Sequence, residues 1–298
     1  MAVQQHTSIR GELLTNASLA RYTSWRVGGA ADVLFKPADI DDLATYLQQI
    51  NPSDPVLYLG LGSNLLIRDG GVRGHVILVH GLHPDLKLLD NHRVYASAGV
   101  PCAKVARFAA NNDLMGATFL AGIPGTIGGA LAMNAGAFGG ETWPAVQSVE
   151  TMTRRGELRH RPASEFSWGY RHLEGIGDEL FLAATFQLQS GDGEKVKAEI
   201  RSLLDRRSDS QPTGIPSCGS VFRNPEGDYA ARLIEASGLK GFAIGGAEVS
   251  QKHANFILNT GDATASDIEQ MISHVQSTVA EKCGVELHRE VRIIGEAP

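Results

Sequence analysis

The sequence predicts a mixed α+β fold spread over more than one domain, and three observations carry that expectation. The chain has 298 residues, against about 100–200 for a typical domain. Strand-like and helix-like periodicities alternate along it. A glycine-rich, almost uncharged segment interrupts them near the middle.

Early segments alternate in type. "ADVLFKP" (31–37) reads as a strand, and "DIDDLATYLQQI" (39–50) as a helix with Leu43, Tyr46, Leu47 and Ile50 on one face. "VLYLG" (56–60) follows as a buried strand, giving a βαβ-like opening. "GHVILVHG" (74–81) and "RVYASAG" (93–99) add strands, and "CAKVARFAANND" (102–113) adds a helix.

From Gly116 to Gly140 the chain reads "GATFLAGIPGTIGGALAMNAGAFGG", with eight glycines in 25 residues. Flexible glycine linkers carry few large apolar residues, whereas this segment interleaves Phe119, Leu120, Ile123, Ile127, Leu131, Met133 and Phe138. The expectation is neither linker nor helix but packed backbone brought close to something.

Further on, "FLAATFQLQ" (181–189) alternates as a strand. "EKVKAEIRSLLDRRSDS" (194–210) is helical, with Val196, Ile200, Leu203 and Leu204 at helical spacing. Ser266 and Glu269 have the spacing of a capping box before Ile268, Met271, Ile272, Val275 and Val279. "ELHREVRIIG" (286–295) reads as a closing strand with Glu290 and Arg292 on one side. There is no internal repeat.

Composition bounds the function classes. With 43% hydrophobic and 20% charged residues the chain is an ordinary globular sequence. Its net charge of -6, from 27 basic and 33 acidic residues, argues against a nucleic-acid partner and leaves room for a local basic pocket. The start has no charged-then-apolar signal pattern and no run approaches the ~18 apolar residues of a span, so a cytoplasmic protein without a membrane is expected. Three cysteines without a CxxC pair suggest neither a disulfide framework nor zinc, and ten histidines without HxH or HExxH spacing suggest no catalytic metal. Cys218 reads as a small half-buried residue.

Glycine makes up 34 residues, roughly 11% against about 7% typically. The first cluster, "YLGLGSNLLIRDGGVRG" (58–74), follows a strand, where backbone N–H groups can converge on a phosphate. It is no P-loop, because Ser63-Asn64 stand where Gly-Lys-Ser/Thr is needed, and no dinucleotide fingerprint, because Leu65 replaces the third glycine. A plain tight turn is the other reading. Two glycine clusters about 60 residues apart suit a ligand long enough to touch both, such as FAD.

"PSCGSVFRNP" (216–225) raises a different question, since Ser220 follows a glycine, precedes an Asn-Pro turn, and lacks the neighbours of a nucleophilic serine. On spacing alone it is either a turn serine or a positioned proton donor.

Seven segments in register narrow these readings. "TSWRVGGAADVLFKP", "LGLGSNLLIRDGGVRG", "AGIPGTIGGALAMNAGAFGGE", "GYR", "GSVFRNP", "AEVSQKHANFILN" and "HREVRIIG" together resemble the UDP-N-acetylenolpyruvoylglucosamine reductase family, from about Thr23 to Gly295. The short stretch between Arg171 and Phe181 resembles the family's type II form, and Leu61 departs from a position that is often glycine. The resemblance implies a two-subdomain FAD-binding module of the PCMH or vanillyl-alcohol-oxidase type, followed by a C-terminal α+β substrate-binding domain. The expected boundaries are 1–75 with the returning strand 284–298, then 76–207, then 208–283.

The implied reaction passes hydride from NADPH through non-covalently bound FAD to C3 of an enolpyruvyl group on a UDP-sugar. Ser220 is then expected to protonate C2, Arg171 to hold the carboxylate, and Glu290 to complete the site. Gly60, Gly62, Ser63 and Asn64 are expected at the FAD pyrophosphate. Gly122, Ile123, Pro124, Gly125, Gly128 and Gly129 are expected along the flavin, with Asn134 and Ala135 in the same wall. Arg223, Asn224, Lys252 and His253 are expected at the UDP-sugar, although Lys252 could equally be a solvated turn lysine. No protein partner is expected beyond these small molecules. The alternatives are a flavin oxidase of the same fold and a nucleotide-sugar binding module without catalysis.

Overall fold

A computed structural model describes residues 8–298 of the chain. The chain divides into two compact units. The first comprises residues 8–14, Val33–Gly60 and Gly74–Leu203; the second comprises Thr15–Asp32, Leu61–Arg73 and Leu204–Pro298. Strands β1 (Glu12–Ser18), β2 (Ala30–Lys36), β3 (Val56–Leu59) and β5 (Val72–Leu78) form a sheet of order β1-β2-β5-β3, while β4 (Leu65–Ile67) lies outside it. Helices and strands are thus mixed throughout, as an α+β fold requires.

In the first unit β3 runs parallel to β5, with Val56 opposite His75 and Leu59 opposite Leu78. Helix α1 (Ile40–Gln49) begins at Asp39, whose carboxylate accepts from the Asp42 N–H and so satisfies one of the helix's unpaired donors. Its apolar face, Leu43, Tyr46 and Leu47, is buried with Phe35, Ile77, Met152 and Leu182, and the Tyr46 ring stacks on Phe35 at 4.0 Å. A five-stranded antiparallel sheet completes the unit. Its order is Leu158–Pro162, Val146–Met152, Leu180–Gln187, β7 (Arg93–Ser97) and β6 (Leu86–Leu89). Helix α2 (Cys102–Asn111) buries Val105, Ala106, Ala109 and Ala110.

The glycine-rich segment corrects one expectation, because it does contain a helix, α3 (Ile127–Met133). Ile127, Ala130 and Leu131 fall on one buried face, which is enough to hold two turns against the unit despite two glycines of low helix propensity. Gly128 is there for space, since a Cβ on it would lie 2.9 Å from that of Ala98.

The second unit is built around helices α5 (Ala230–Ala236) and α6 (Ala265–Cys283), with the three-stranded order Ala243–Ile244, Ala247–Val249, Ile257–Asn259. Trp25, fully buried, donates from Nε1 to the Ile257 carbonyl at 2.7 Å, and the Asn259 amide donates to the Trp25 carbonyl at 2.8 Å. The two-unit division cuts across the expected stretch 1–75, taking out of it not only Thr15–Asp32 but also residues 61–73. Residues 61–73 group with the later chain because β4 pairs in parallel with the last strand, Arg292–Ile294, and Leu66 is buried with Phe222 and Val291.

Two further expectations are corrected here. The capping box of α6 is Thr264 with Asp267, not Ser266 with Glu269: the Thr264 hydroxyl accepts from the Asp267 N–H, and the Asp267 carboxylate accepts from the Thr264 N–H. Ser266 N–H is instead taken by the Asp69 carboxylate at 2.9 Å, and Glu269 is drawn to Arg68. The closing strand is also shorter than its alternation suggests. Only Arg292–Ile294 is regular, because the successive N–H groups of Glu290 and Val291 both turn to the Val221 carbonyl, which an alternating strand does not allow. Among the described residues no helix is long and apolar enough to cross a membrane.

Candidate active site

In the second unit Glu290 is hydrogen-bonded to Val221, the residue that follows Ser220. Glu290 N–H donates to the Val221 carbonyl at 2.8 Å, Arg223 N–H donates to the His288 carbonyl at 2.9 Å, and Phe222 bridges Arg289 in antiparallel fashion. From the other flank, Val221 N–H donates to the Asn255 carbonyl at 2.9 Å. Gly219, at φ +73°, turns the chain into this clamp, in a conformation that side-chain-bearing residues rarely adopt. Ser220 is therefore carried on backbone fixed from two sides.

Asn64 belongs to the same group. Its amide donates to the Glu290 carbonyl at 3.2 Å, and its own carbonyl accepts from the Arg292 N–H at 3.1 Å. Gly62, at φ +58°, would place a Cβ 2.3 Å from the Tyr22 carbonyl oxygen, so no other residue fits there. Cys218 donates from Sγ towards the carbonyls of Gly62 and Leu65, and burial pushes its thiol up to about 12. It fastens the loop and offers no nucleophile.

The four residues expected at the UDP-sugar divide by their contacts. Arg223 Nε and His253 Nδ1 are buried without a partner among the described residues, a state that a bound polar ligand relieves. The His253 ring meets Phe256 edge-on at 4.9 Å, and burial lowers its pKa below the ordinary 6.5. Asn224, exposed, accepts from the Ala230 N–H at the start of α5. Lys252, also exposed, donates from Nζ to the Ser208 carbonyl near the end of α4 (Gly193–Ser210).

In the first unit Gly60 lies close to Thr126, since a Cβ on it would stand 2.9 Å from the Thr126 hydroxyl. The glycines expected along the flavin do different work. Gly122 is covered by Phe138, with a built Cβ 2.4 Å from that ring, and Gly128 by Ala98. Gly129 is exposed, with nothing within 4 Å of its Cβ position, and Pro124, five residues earlier, is exposed as well. Ile123 is buried and Gly125 accepts from the Cys102 N–H. An open glycine face on α3 fits a flat ring system laid against backbone, so the residues present suit FAD.

Asn134 and Arg171 are joined in this unit. Asn134 ends α3 at φ +40° and is fully buried. Its amide donates to the Gly169 carbonyl at 2.9 Å and to Glu141 Oε2 at 3.0 Å, and its Oδ1 accepts from the Trp143 N–H at 3.1 Å. Gly169 pairs with His172 in a tight hairpin, Ser167–Gly169 against His172–Glu174, whose loop is Tyr170 and Arg171. Arg171, at φ +54°, donates from Nη2 to the Gly136 carbonyl at 3.0 Å. Ala135, next to Asn134, accepts from the Thr142 hydroxyl.

A cleft of about 460 Å³ in the first unit, lined by Arg159, Arg161, Glu165 and Glu179, contains none of these residues. Its arginines are already bound by those carboxylates, so it offers no reaction chemistry. Among the described residues no cluster of three His, Cys, Asp or Glu could hold a metal ion. Asn255 was not singled out by spacing; its signal was a polar residue inside the apolar run "ANFIL".

Residues 31–161 match the FAD binding domain family, and residues 211–294 match the family described as UDP-N-acetylenolpyruvoylglucosamine reductase, C-terminal domain. The UDP-N-acetylenolpyruvoylglucosamine reductase of Methylococcus capsulatus is 56% identical over 288 residues, covering 97% of this chain and 95% of that one. The protein of that name from Coxiella burnetii (strain Dugway 5J108-111) is 50% identical, covering all of both chains. The crystal structure of UDP-N-acetylenolpyruvylglucosamine reductase from Thermus caldophilus superposes with a TM-score of 0.81 at 30% identity, covering 98% of this chain and 100% of that one.

Proposed function

The chain belongs to the UDP-N-acetylenolpyruvoylglucosamine reductase family, and from that premise we propose the reaction it performs and the residues that perform it. It is an FAD-dependent oxidoreductase that reduces the enolpyruvyl ether of a UDP-N-acetylglucosamine to the lactyl ether of UDP-N-acetylmuramate, a peptidoglycan precursor, with NADPH as hydride donor. The bound FAD supplies the chemistry of taking a hydride from NADPH and returning it to C3 of the enolpyruvyl group. A flavin oxidase or a non-catalytic sugar-binding protein is not favoured by these relatives. In this reading the UDP-sugar and NADPH are met in the cytoplasm.

When C3 gains hydride, negative charge builds on C2 and its carboxylate, and the site must supply a proton and a counter-charge. The Ser220 hydroxyl donates the proton to C2. An alcohol is too weak an acid for ordinary leaving groups but suffices for a carbanion held against it. The Arg171 guanidinium, a planar fork of donors, binds the two carboxylate oxygens. Glu290 orients the substrate beside Ser220 or assists the proton's passage. Arg223 and His253, with Asn224 and Lys252, bind the UDP-sugar; Lys252 does so by exchanging its Ser208 contact for a phosphate. Gly60, Gly62, Ser63 and Asn64 receive the FAD pyrophosphate, and the Gly129 face of α3 receives the flavin.

The observation that supports this reading most is the 2.8 Å bond from Glu290 N–H to the Val221 carbonyl, which sets the proposed acid and its acidic neighbour on adjacent backbone. The test is the purified protein itself. It should be yellow with releasable FAD and should consume NADPH only when the enolpyruvyl UDP-sugar is added. A preparation that takes up no FAD, or that turns over on oxygen with an alcohol donor and not on this substrate, overturns the reading.

A further inference from the structure

We propose that Asn134 is a positioning residue for Arg171, not a contact of the cofactor. Its side chain has no donor left for a ligand and no exposed surface. Both amide hydrogens are used, one on Gly169 and one on Glu141, the oxygen accepts from Trp143, and the residue is fully buried. What it does is tie together both ends of Arg171.

The backbone end comes first. Gly169 is the last residue before the two-residue loop that carries Tyr170 and Arg171, and its carbonyl is the acceptor of the Asn134 amide at 2.9 Å. The guanidinium end rests on the Gly136 carbonyl, two residues beyond Asn134, at 3.0 Å. Gly136 in turn pairs with Glu141, the second acceptor of the Asn134 amide. One buried amide therefore fixes the hairpin from which Arg171 projects and the short strand pair against which its head lies. Arg171 is a non-glycine residue in the left-handed region, a conformation that persists only where the surroundings impose it.

Asn134 has the backbone for this place as well. It closes α3 in the left-handed conformation, which asparagine tolerates better than most residues. The sequence signal "MNAGAFGGE" contains the whole device: Asn134, Gly136 and Glu141.

The inference rests on the proposed role of Arg171 at the substrate carboxylate, and the experiment separates the two. Asn134→Gly keeps the left-handed backbone and removes the amide. Asn134→Asp keeps the acceptor for Trp143 and removes both donors. In each holoenzyme FAD content and the rate of FAD reduction by NADPH should be unchanged, while reoxidation by the enolpyruvyl UDP-sugar slows about 10–100-fold, the scale on which small misplacements act. Amide exchange of residues 167–174 should quicken without change in α2. Placed in an Arg171→Ala background, either substitution should add nothing further. Loss of FAD, equal damage to both half-reactions, or full additivity with Arg171→Ala overturns the positioning role. An Arg171→Ala enzyme that reoxidises normally overturns the reading beneath it instead.

Discussion

Asn255 holds Phe222 by both of its backbone atoms: Oδ1 accepts from the Phe222 N–H at 3.0 Å, and Nδ2 donates to the Phe222 carbonyl at 2.8 Å. Both residues are buried, so neither backbone group has water as a substitute. Asn255→Ala should therefore lower stability by about 1–3 kcal/mol for each group left unsatisfied, read from urea unfolding. Because Ser220 lies two residues before Phe222, the reaction of reduced enzyme with substrate should slow more than reduction by NADPH. Equal slowing would mean that Asn255 serves the fold alone.

Ser220→Ala should leave the reduction of FAD by NADPH nearly intact and slow reoxidation by the enolpyruvyl substrate by about 10²–10⁴-fold, the usual range for a lost general acid. Stopped-flow absorbance of the flavin follows both halves. Comparable loss in the two halves would assign Ser220 to structure.

Gly129→Ala separates helix stability from cofactor binding. The built Cβ meets nothing, and alanine is favoured over glycine in a helix by about 1 kcal/mol, so the apoprotein should be stabilised by up to that amount. If the open face of α3 receives the flavin, FAD should bind more weakly at the same time. A rise in both stability and FAD affinity would place the flavin elsewhere.

Arg68 and Glu269 form a two-bond ion pair, Nε to Oε2 at 2.9 Å and Nη2 to Oε1 at 2.7 Å. Hydrogen bonding to Arg68 holds the Glu269 carboxyl below its ordinary value. A carboxylate depressed in the folded state stabilises fully above its unfolded pKa of about 4.3 and loses that contribution as pH falls through the folded value. Both side chains are about one-third exposed, so the contribution at neutral pH is about 1 kcal/mol or less. The stability difference between the wild type and Glu269→Gln should be constant from neutral pH to about 5 and close below that. A difference independent of pH would assign the effect to packing.

The helices α1, α2, α4 and α6 and the strands β2, β3, β5, β7 and Leu180–Gln187 were legible because a periodic apolar face settles each of them, whereas the shorter strands carry too few residues to show a period. Short-range signals failed where a distant residue competes for the same atom. Ser266 loses the α6 cap because the Asp69 carboxylate, far away in sequence, takes its N–H. The strand at 286–291 is broken by one carbonyl of Val221, and α3 was hidden by two glycines, of which Gly128 stands against the Ala98 methyl and Gly129 on an open face. Ser220, Arg171 and Glu290 could be named from seven motifs in register, but Asn134 and Asn255 could not be given their partners, since a buried asparagine shows its use only once its acceptors are in place.

Each unit also carries its own chemical reporter. Cys102 is fully buried in the first and Cys218 nearly so in the second, and burial pushes both thiols up to about 12. Neither can react as a thiolate while its unit is closed. In the native protein a thiol-alkylating reagent should reach the partly exposed Cys283 first. Labelling of Cys102 and Cys218, resolved by peptide mass, would then time the opening of the two units separately, and adding FAD or substrate would show which of the two each ligand holds shut.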